Sequence, residues 1–340
     1  MKKNRWAHFL TGPLVVYVVM SWSGGEPVFA QTPEPVSVFV ELNASDLASM
    51  RAAVDRIESF GGSCTHLFPF RGCIGALPAG ADKALSAQPE IAGLYRGAID
   101  PAELTQRDSA LDLGVAVWSR LVVDRTAEAS PAETVDPPPP ADDALIPPGR
   151  PTAMLAAAGT VSTAPDYYQT SEFLAGSVAV GIVMPESNGG IDANQETWST
   201  TRQDSVVAEI AAAMNWWAAR EPAAGLSFVY DVARSVPTSY EPINRSQAAE
   251  ALWISDTMTA LGFPGTSRWT QTLDYDNALR DAYGTDWAFT VFVVDDLVDS
   301  DNMFAPNPNG TAYFAYAYLG GPYAVMTYAN DGYGPTNMDA

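Results

Sequence analysis

Hydrophobic and polar positions change their spacing several times along the chain, and each change marks an element. Val36-Ser37-Val38-Phe39-Val40-Glu41-Leu42 alternates with a period near two and predicts a strand. Asn43 to Asp46 offers helix-capping chemistry for a helix reaching about Phe60, where Gly61-Gly62 stops it. Short strands around Cys64 and Cys73 follow, then a short helix over 81–88 and a strand over 91–95. This order, β-α-β-β-α-β, is that of a ferredoxin-like domain. Residues 109–123 set Leu111, Val115, Trp118 and Leu121 at helical spacing, as in one more amphipathic helix packed on a neighbour. From 125 to 165 Pro, Ala, Thr and acidic residues dominate, with Pro137-Pro138-Pro139-Pro140 and Pro147-Pro148, and predict an exposed linker.

Beyond the linker the pattern resumes. Val178 to Met184 is an unbroken apolar run of the kind found in buried strands. Residues 204–219 carry Val207, Ile210, Ala211, Met214 and Trp217 at helical intervals, and Leu226 to Tyr230 predicts the next strand. Helices over 246–261 and 272–283 precede strands over 287–294, 311–319 and 323–328, giving β-α-β-α-α-β-β-β. The fold class expected is α+β.

Both ends change this picture. Lys2, Lys3 and Arg5 precede an apolar run from Phe9 to Met20, and Val28-Phe29-Ala30 puts a small residue at a cleavage position, the pattern of a secretory signal peptide. That run is too short for a comfortable membrane span, and no later stretch approaches ~20 apolar residues, so a secreted or periplasmic protein without a stable membrane anchor is expected. At the other end, Asn337 and Asp339 in Tyr333-Gly334-Pro335-Thr336-Asn337-Met338-Asp339-Ala340 are good N-cap residues, and read as the start of a helix whose body is missing. The layout expected is a signal peptide at 1–30, a first domain at 31–105, a helix and Pro-rich linker at 106–165, and a truncated second domain at 166–340.

Charge and composition narrow the partners. With 40 acidic and 18 basic residues the formal net charge is −22, and losing Lys2, Lys3, Arg5 and Glu26 with the leader makes the remainder more acidic. Such a surface argues against nucleic acid and anionic membranes. A 47% hydrophobic content is enough for two modest cores. The two cysteines, Cys64 and Cys73, flank Phe68-Pro69-Phe70-Arg71-Gly72 and are expected to pair across that hairpin in an oxidising compartment. His8 leaves with the leader, so His66 is the one histidine that remains, and it reads as a strand residue. One imidazole in a small hairpin supplies neither a zinc ligand set nor a Ser-His-Asp or Cys-His constellation. Phosphate-cradling GxxxxGK[ST], GxGxxG and GxSxG motifs are absent from the sequence. Asp295, Asp296, Asp299, Asp301 and Asn302 form an oxygen-rich loop of the kind that can hold calcium, but without EF-hand spacing a solvated loop is the leading reading. The same acids would suit paired-carboxylate glycoside hydrolysis, although nothing singles out a pair.

Two resemblances sharpen these expectations. Leu77-Pro78 and Gln88-Pro89-Glu90-Ile91-Ala92-Gly93-Leu94 give the first domain a resemblance to inhibitory propeptides of the subtilisin-propeptide type; an accessory or interaction domain is the plainer reading. The stretches from Val180 to Gly189, Asn215-Trp216-Trp217, Tyr283 to Phe289 and Tyr316 to Tyr328 resemble secreted bacterial zinc peptidases of metzincin-like build. That resemblance implies a mixed-sheet α/β/α domain in which a strand like Ala324 to Tyr328 leads into a helix carrying H-E-x-x-H. The motif does not occur in this sequence, so no residue here is expected to bind zinc or catalyse, and the ligands of an intact parent are expected past Ala340.

What the resemblance does assign is a substrate edge. Tyr316, Ala317, Tyr318, Leu319 and Gly320 are expected to pair with an extended peptide or protein substrate, with Gly320-Gly321 permitting close approach. The competing reading has Tyr313, Phe314, Tyr316 and Tyr318 as ordinary alternating strand residues. Two classes therefore stand: the N-terminal part of a secreted zinc endopeptidase precursor, inactive by itself, and a non-catalytic exported binding protein or pseudoenzyme. Oligomeric state is not legible.

Overall fold

A computed structural model describes residues 35–105, 107–123, 165–171, 174–318 and 320–329. The expected signal peptide, the linker before Pro165, Leu319 and the capping residues Asn337 and Asp339 lie outside the described residues.

The first six elements appear in the expected order: β1 (Val36–Leu42), α1 (Leu47–Ser59), β2 (Ser63–Phe68), β3 (Gly72–Leu77), α2 (Asp82–Leu85) and β4 (Ile91–Tyr95). Alternation in β1 sends Val38, Val40 and Leu42 to one face, against Met50, Ala53 and Ile57 of α1, and Phe39 to the other. Asp46 caps α1 through Ser49 in a reciprocal capping box. Cys64 and Cys73 are disulfide-bonded across the β2–β3 hairpin, with Cα atoms 5.9 Å apart. On the second face lies α3 (Ser109–Trp118), whose Leu111, Val117 and Trp118 are buried.

The later elements are β5 (Ser177–Ser187), α4 (Thr200–Arg220), β6 (Ser227–Thr238), α5 (Glu250–Ala260), α6 (Arg268–Tyr283), β7 (Trp287–Val294), β8 (Ala315–Ala317) and β9 (Tyr323–Thr327). Some bounds differ from the expected ones for physical reasons. Strand β6 runs well past Tyr230 because its charged residues find partners, Asp231 with the hydroxyls of Tyr275 and Tyr283, and Arg234 with Asp204. The strand expected over 311–319 shortens to Ala315–Ala317. Trp217, expected on the packed face of α4, is exposed beside Trp216, since the buried positions of that helix stop at Ala213.

All nine described strands join one sheet in the order β4-β1-β3-β2-β6-β5-β7-β9-β8. The first four are antiparallel, β6-β5-β7-β9 are parallel, and β8 lies antiparallel on β9 at the edge. Helices α3 and α4 cover one face, and α1, α5 and α6 the other. Strand β5 is buried on both faces: Val178, Val180, Ile182 and Met184 meet α4's side, Ala179 and Val183 the side of α5 and α6. Gly181 is required there, because a Cβ would sit 2.7 Å from the Tyr275 ring.

The two halves meet where β2 pairs in parallel with β6, His66 opposite Phe228 and Leu67 opposite Val229. His66 is fully buried, its Nδ1 lies 2.8 Å from the Tyr230 hydroxyl, and its ring stacks near Phe228 and Tyr230. Around this junction the two expected cores share one cluster, in which Phe39, Phe68, Leu111 and Trp118 pack with Val206, Val207, Phe228 and Tyr230. Burial lowers the His66 pKa to about 4 from 6.5, so an unfolded chain takes up this proton more readily than the folded one. Stability is therefore expected to be intact above about pH 6.5 and to fall by about 3 kcal/mol as the pH drops toward 4, relative to His66→Phe, which cannot titrate. Denaturant unfolding of both proteins across that range checks this; parallel pH profiles contradict it.

Candidate functional site

The edge strand β8 is the element the substrate expectation rests on. Thr327 donates its N–H to the Phe314 carbonyl at 2.8 Å, which makes Phe314 and Thr327 a hydrogen-bonded pair. With Ala315 opposite Met326 and Tyr316 opposite Val325, alternation then turns Tyr316 toward β9 and leaves the backbone N–H and C=O of Ala315 and Ala317 facing outward. Neither residue hydrogen-bonds through its outward backbone groups to another described residue. Ala317 is exposed.

Behind this edge sits a buried polar cluster. Glu250, fully buried at the start of α5, accepts from the hydroxyls of Tyr318 (2.5 Å) and Tyr323 (2.9 Å) and from Arg268 Nε (2.8 Å) through one oxygen. Burial and the Glu250 charge push all three tyrosines, Tyr316, Tyr318 and Tyr323, above the ordinary phenol range. Burial opposes the charge on Arg268, but Tyr323 and Glu250 outweigh it and hold the guanidinium protonated. Trp269 stacks on Tyr323 and meets Tyr318 edge-on, with Arg268 over its own ring face. The cluster ties the β8–β9 turn to α5 and α6. Gly320, at φ +61°, makes that turn, with Gly321 N–H donating to the Tyr318 carbonyl.

Of the expected substrate-edge residues, then, Ala317 lies on the free edge, Tyr316 and Tyr318 turn hydroxyls toward the interior, and Gly320 shapes the turn. Sequence reasoning missed Glu250 and Arg268. The only signal for Glu250 was an acid ahead of the apolar Leu252-Trp253-Ile254, which is indistinguishable from an ordinary acidic first turn.

A second cluster lies at the carboxyl ends of the parallel strands, where open α/β sheets tend to place ligands. Glu196 accepts the Val298 N–H at 2.9 Å on both oxygens, and Glu241 accepts from Gln195 N–H (2.8 Å) and Glu196 N–H (3.3 Å). Asp296 accepts the Ala329 N–H at 3.0 and 3.1 Å, just past β9. Asp295 is ion-paired with Arg202, whose guanidinium also faces the rings of Trp198 and Tyr328. Asp299 accepts from the N–H groups of Asp301 and Asn302 in a local turn. A cavity of about 480 Å³ opens beside these groups, lined by Gln195, Glu196, Ile243, Val298, Asp299 and Ser300.

Burial raises Glu196, Glu241 and Asp295 above the usual carboxylate range, and takes Asp296 up to about 7. The loop acids expected to be solvated or to hold calcium are thus largely engaged with backbone N–H groups and Arg202. Asp295 and Asp296 are buried, while Asp301 is exposed. Among the described residues no group of three or more His, Cys, Asp or Glu is placed to hold a metal ion, and no helix is long and apolar enough to cross a membrane. His66 lies in the sheet interior against Tyr230.

Compared with family models, curated proteins and solved structures, the chain matches none.

Two outcomes follow from these clusters. Glu250→Ala leaves the Arg268 guanidinium without its carboxylate and is expected to destabilise the protein by about 3 kcal/mol, read by denaturant unfolding; a change below about 0.5 kcal/mol would mean that solvent screens the pair. For Asp296, the folded protein keeps its proton up to about pH 7, whereas an unfolded chain releases it near 3.8. The associated stability is complete below the lower value and is lost as pH rises through the upper one. Asp296→Asn keeps an acceptor for Ala329 and does not ionise, so between about pH 4 and pH 8 the wild type is expected to lose on the order of 2 kcal/mol relative to it. Equal losses in both proteins contradict the assignment.

Proposed function

We propose that this chain is the N-terminal part of a secreted zinc-dependent endopeptidase precursor, and that its own contribution is to bind an extended peptide or protein substrate along β8. The observation that carries the reading is the short antiparallel edge strand whose outward N–H and C=O groups at Ala315 and Ala317 are free among the described residues. A peptide laid there adds a strand by β-augmentation, with main-chain hydrogen bonds supplying affinity. The element order β-α-β-α-α-β-β-β, with the fourth strand as the edge, supports a metzincin-like build for the second half. The antiparallel order β4-β1-β3-β2 supports a ferredoxin-like first half. The signal-like leader and the disulfide are in keeping with export. In this reading the metal and the general base would belong to sequence past Ala340, and no bond-breaking step is derived for this chain.

A non-catalytic exported binding protein or pseudoenzyme is the second reading. It would use the same edge. In-frame translation past codon 340 separates the two: an H-E-x-x-H within the next few tens of residues is expected, and a stop there removes the peptidase and leaves the binding protein.

The edge itself is testable on the chain as it is. Ala317→Pro removes one outward donor while leaving the Tyr316–Val325 pair on β9 intact, and proline is tolerated on edge strands. It is expected to weaken binding of an extended model peptide about three- to tenfold, by titration calorimetry, with little change in thermal unfolding. Unchanged peptide affinity, or no binding by the wild type, would falsify the proposed edge.

A further inference from the structure

We propose that residues 35–123 are a permanent structural partner of residues 165–329, seated on the β6 edge, so that a chain cut between residues 124 and 164 stays together as one two-chain protein. The part of this inference that concerns β8 rests on the peptide-binding reading above; the persistence of the pair does not.

The surface in question is made of three parts. Its backbone part is the edge of β6 at Phe228 and Val229, closed by the parallel pairing of His66 and Leu67. Removing β2 would expose a row of strand N–H and C=O groups, the feature that makes edge strands aggregate. Its apolar part is the shared core, in which Phe39, Phe68, Leu111 and Trp118 are each buried to 0% exposure among side chains that include Phe228 and Tyr230. An interface of this kind resembles a domain core cut in half, as in obligate complexes. Its polar part is specific. Tyr230 pairs with His66, Arg51 Nη2 donates to the Gly284 carbonyl at 2.9 Å, and Arg120 is ion-paired with the largely buried Glu209 on α4. Separation would strip a partner from each.

Position decides what such a partner can do. The sheet order sets β2 beside β6 and β8 at the far end, beyond β5, β7 and β9. With about 4.8 Å between neighbouring strands, five intervals put β2 roughly 24 Å from β8. The N-terminal segment therefore closes the edge opposite the one proposed to receive peptide. This is a different role from that of a detachable inhibitor, which must cover the substrate site and then leave.

The test uses the full chain with a recognition sequence for a specific protease inserted among residues 125–164. After complete cutting, both fragments are expected to co-elute in gel filtration at the volume of the uncut protein, down to submicromolar concentration, and to separate only in denaturant. Backbone amides of Phe228 to Tyr230 are expected to keep their protection from hydrogen exchange. Elution of the N-terminal fragment by itself, or aggregation of the remainder, overturns the proposal, as does loss of that protection. In the cut protein, Phe68→Ala or Trp118→Ala is expected to raise the concentration at which the fragments part by about tenfold or more; no change in either places the contact elsewhere and equally overturns it. A peptide titration on the same cut protein reads the β8 edge separately, so failure of the peptide reading leaves co-elution intact, and the reverse holds too.

Discussion

A strand inside a large sheet needs a neighbour on each side, because a buried row of unpaired backbone groups is strongly unfavourable. Strand β6 has β5 along most of its length on one side and β2 on the other at His66 and Leu67. From that second, short pairing follows the continuity of the sheet from β4 to β8. Once β2 is seated, Phe68 and Tyr230 stack at 5.7 Å, and α3 and α4 must share a face, their side chains filling one cluster. Of the polar groups caught at the junction, His66 Nδ1 and the Tyr230 hydroxyl pair with each other at 2.8 Å.

The parallel half has its own constraint in β5, which is covered on both faces and so can carry no charge until it emerges at its carboxyl end. The loops that leave this end and those of its neighbours hold Glu196, Glu241, Asp295 and Asp296. Such buried carboxylates are tolerable only with donors, and they find them in N–H groups of neighbouring loops and in Arg202. Acidity here organises backbone. The residue it holds just beyond β9, Ala329, is where the chain continues from the strand beside the proposed substrate edge.

At that edge the logic is reversed: two alanines leave backbone groups without a partner among the described residues, while Tyr318 and Tyr323 are drawn inward to Glu250 and Arg268. A small-residue edge braced by a buried charged cluster can present straight, accessible main chain without a large exposed apolar surface. The β6 and β8 edges are thus managed in opposite ways, one closed by the chain's own β2 and the other short and without a further neighbour among the described strands.

Much of this was legible locally. Period and caps placed β1, α1 with Asp46, the Cys64–Cys73 hairpin, and β7 from Trp287 to Val294, because strand alternation, capping and turn chemistry act over a few residues. Longer strands and shorter ones were misjudged where partners decided them, as with Asp231 in β6 and the three-residue β8. The pairing of β2 with β6 joins positions more than a hundred residues apart and leaves no periodic trace in either strand. Glu250 looks like any acid in a helix's first turn, and Asp296 like any acid in a polar loop, until tyrosines, an arginine or the Ala329 N–H arrive from elsewhere in the chain. Sequence by itself determined which segments are strands and helices and which faces are apolar, since those depend on neighbours along the chain. Tertiary structure alone decided which edges meet and which charges are buried, since those depend on neighbours in space.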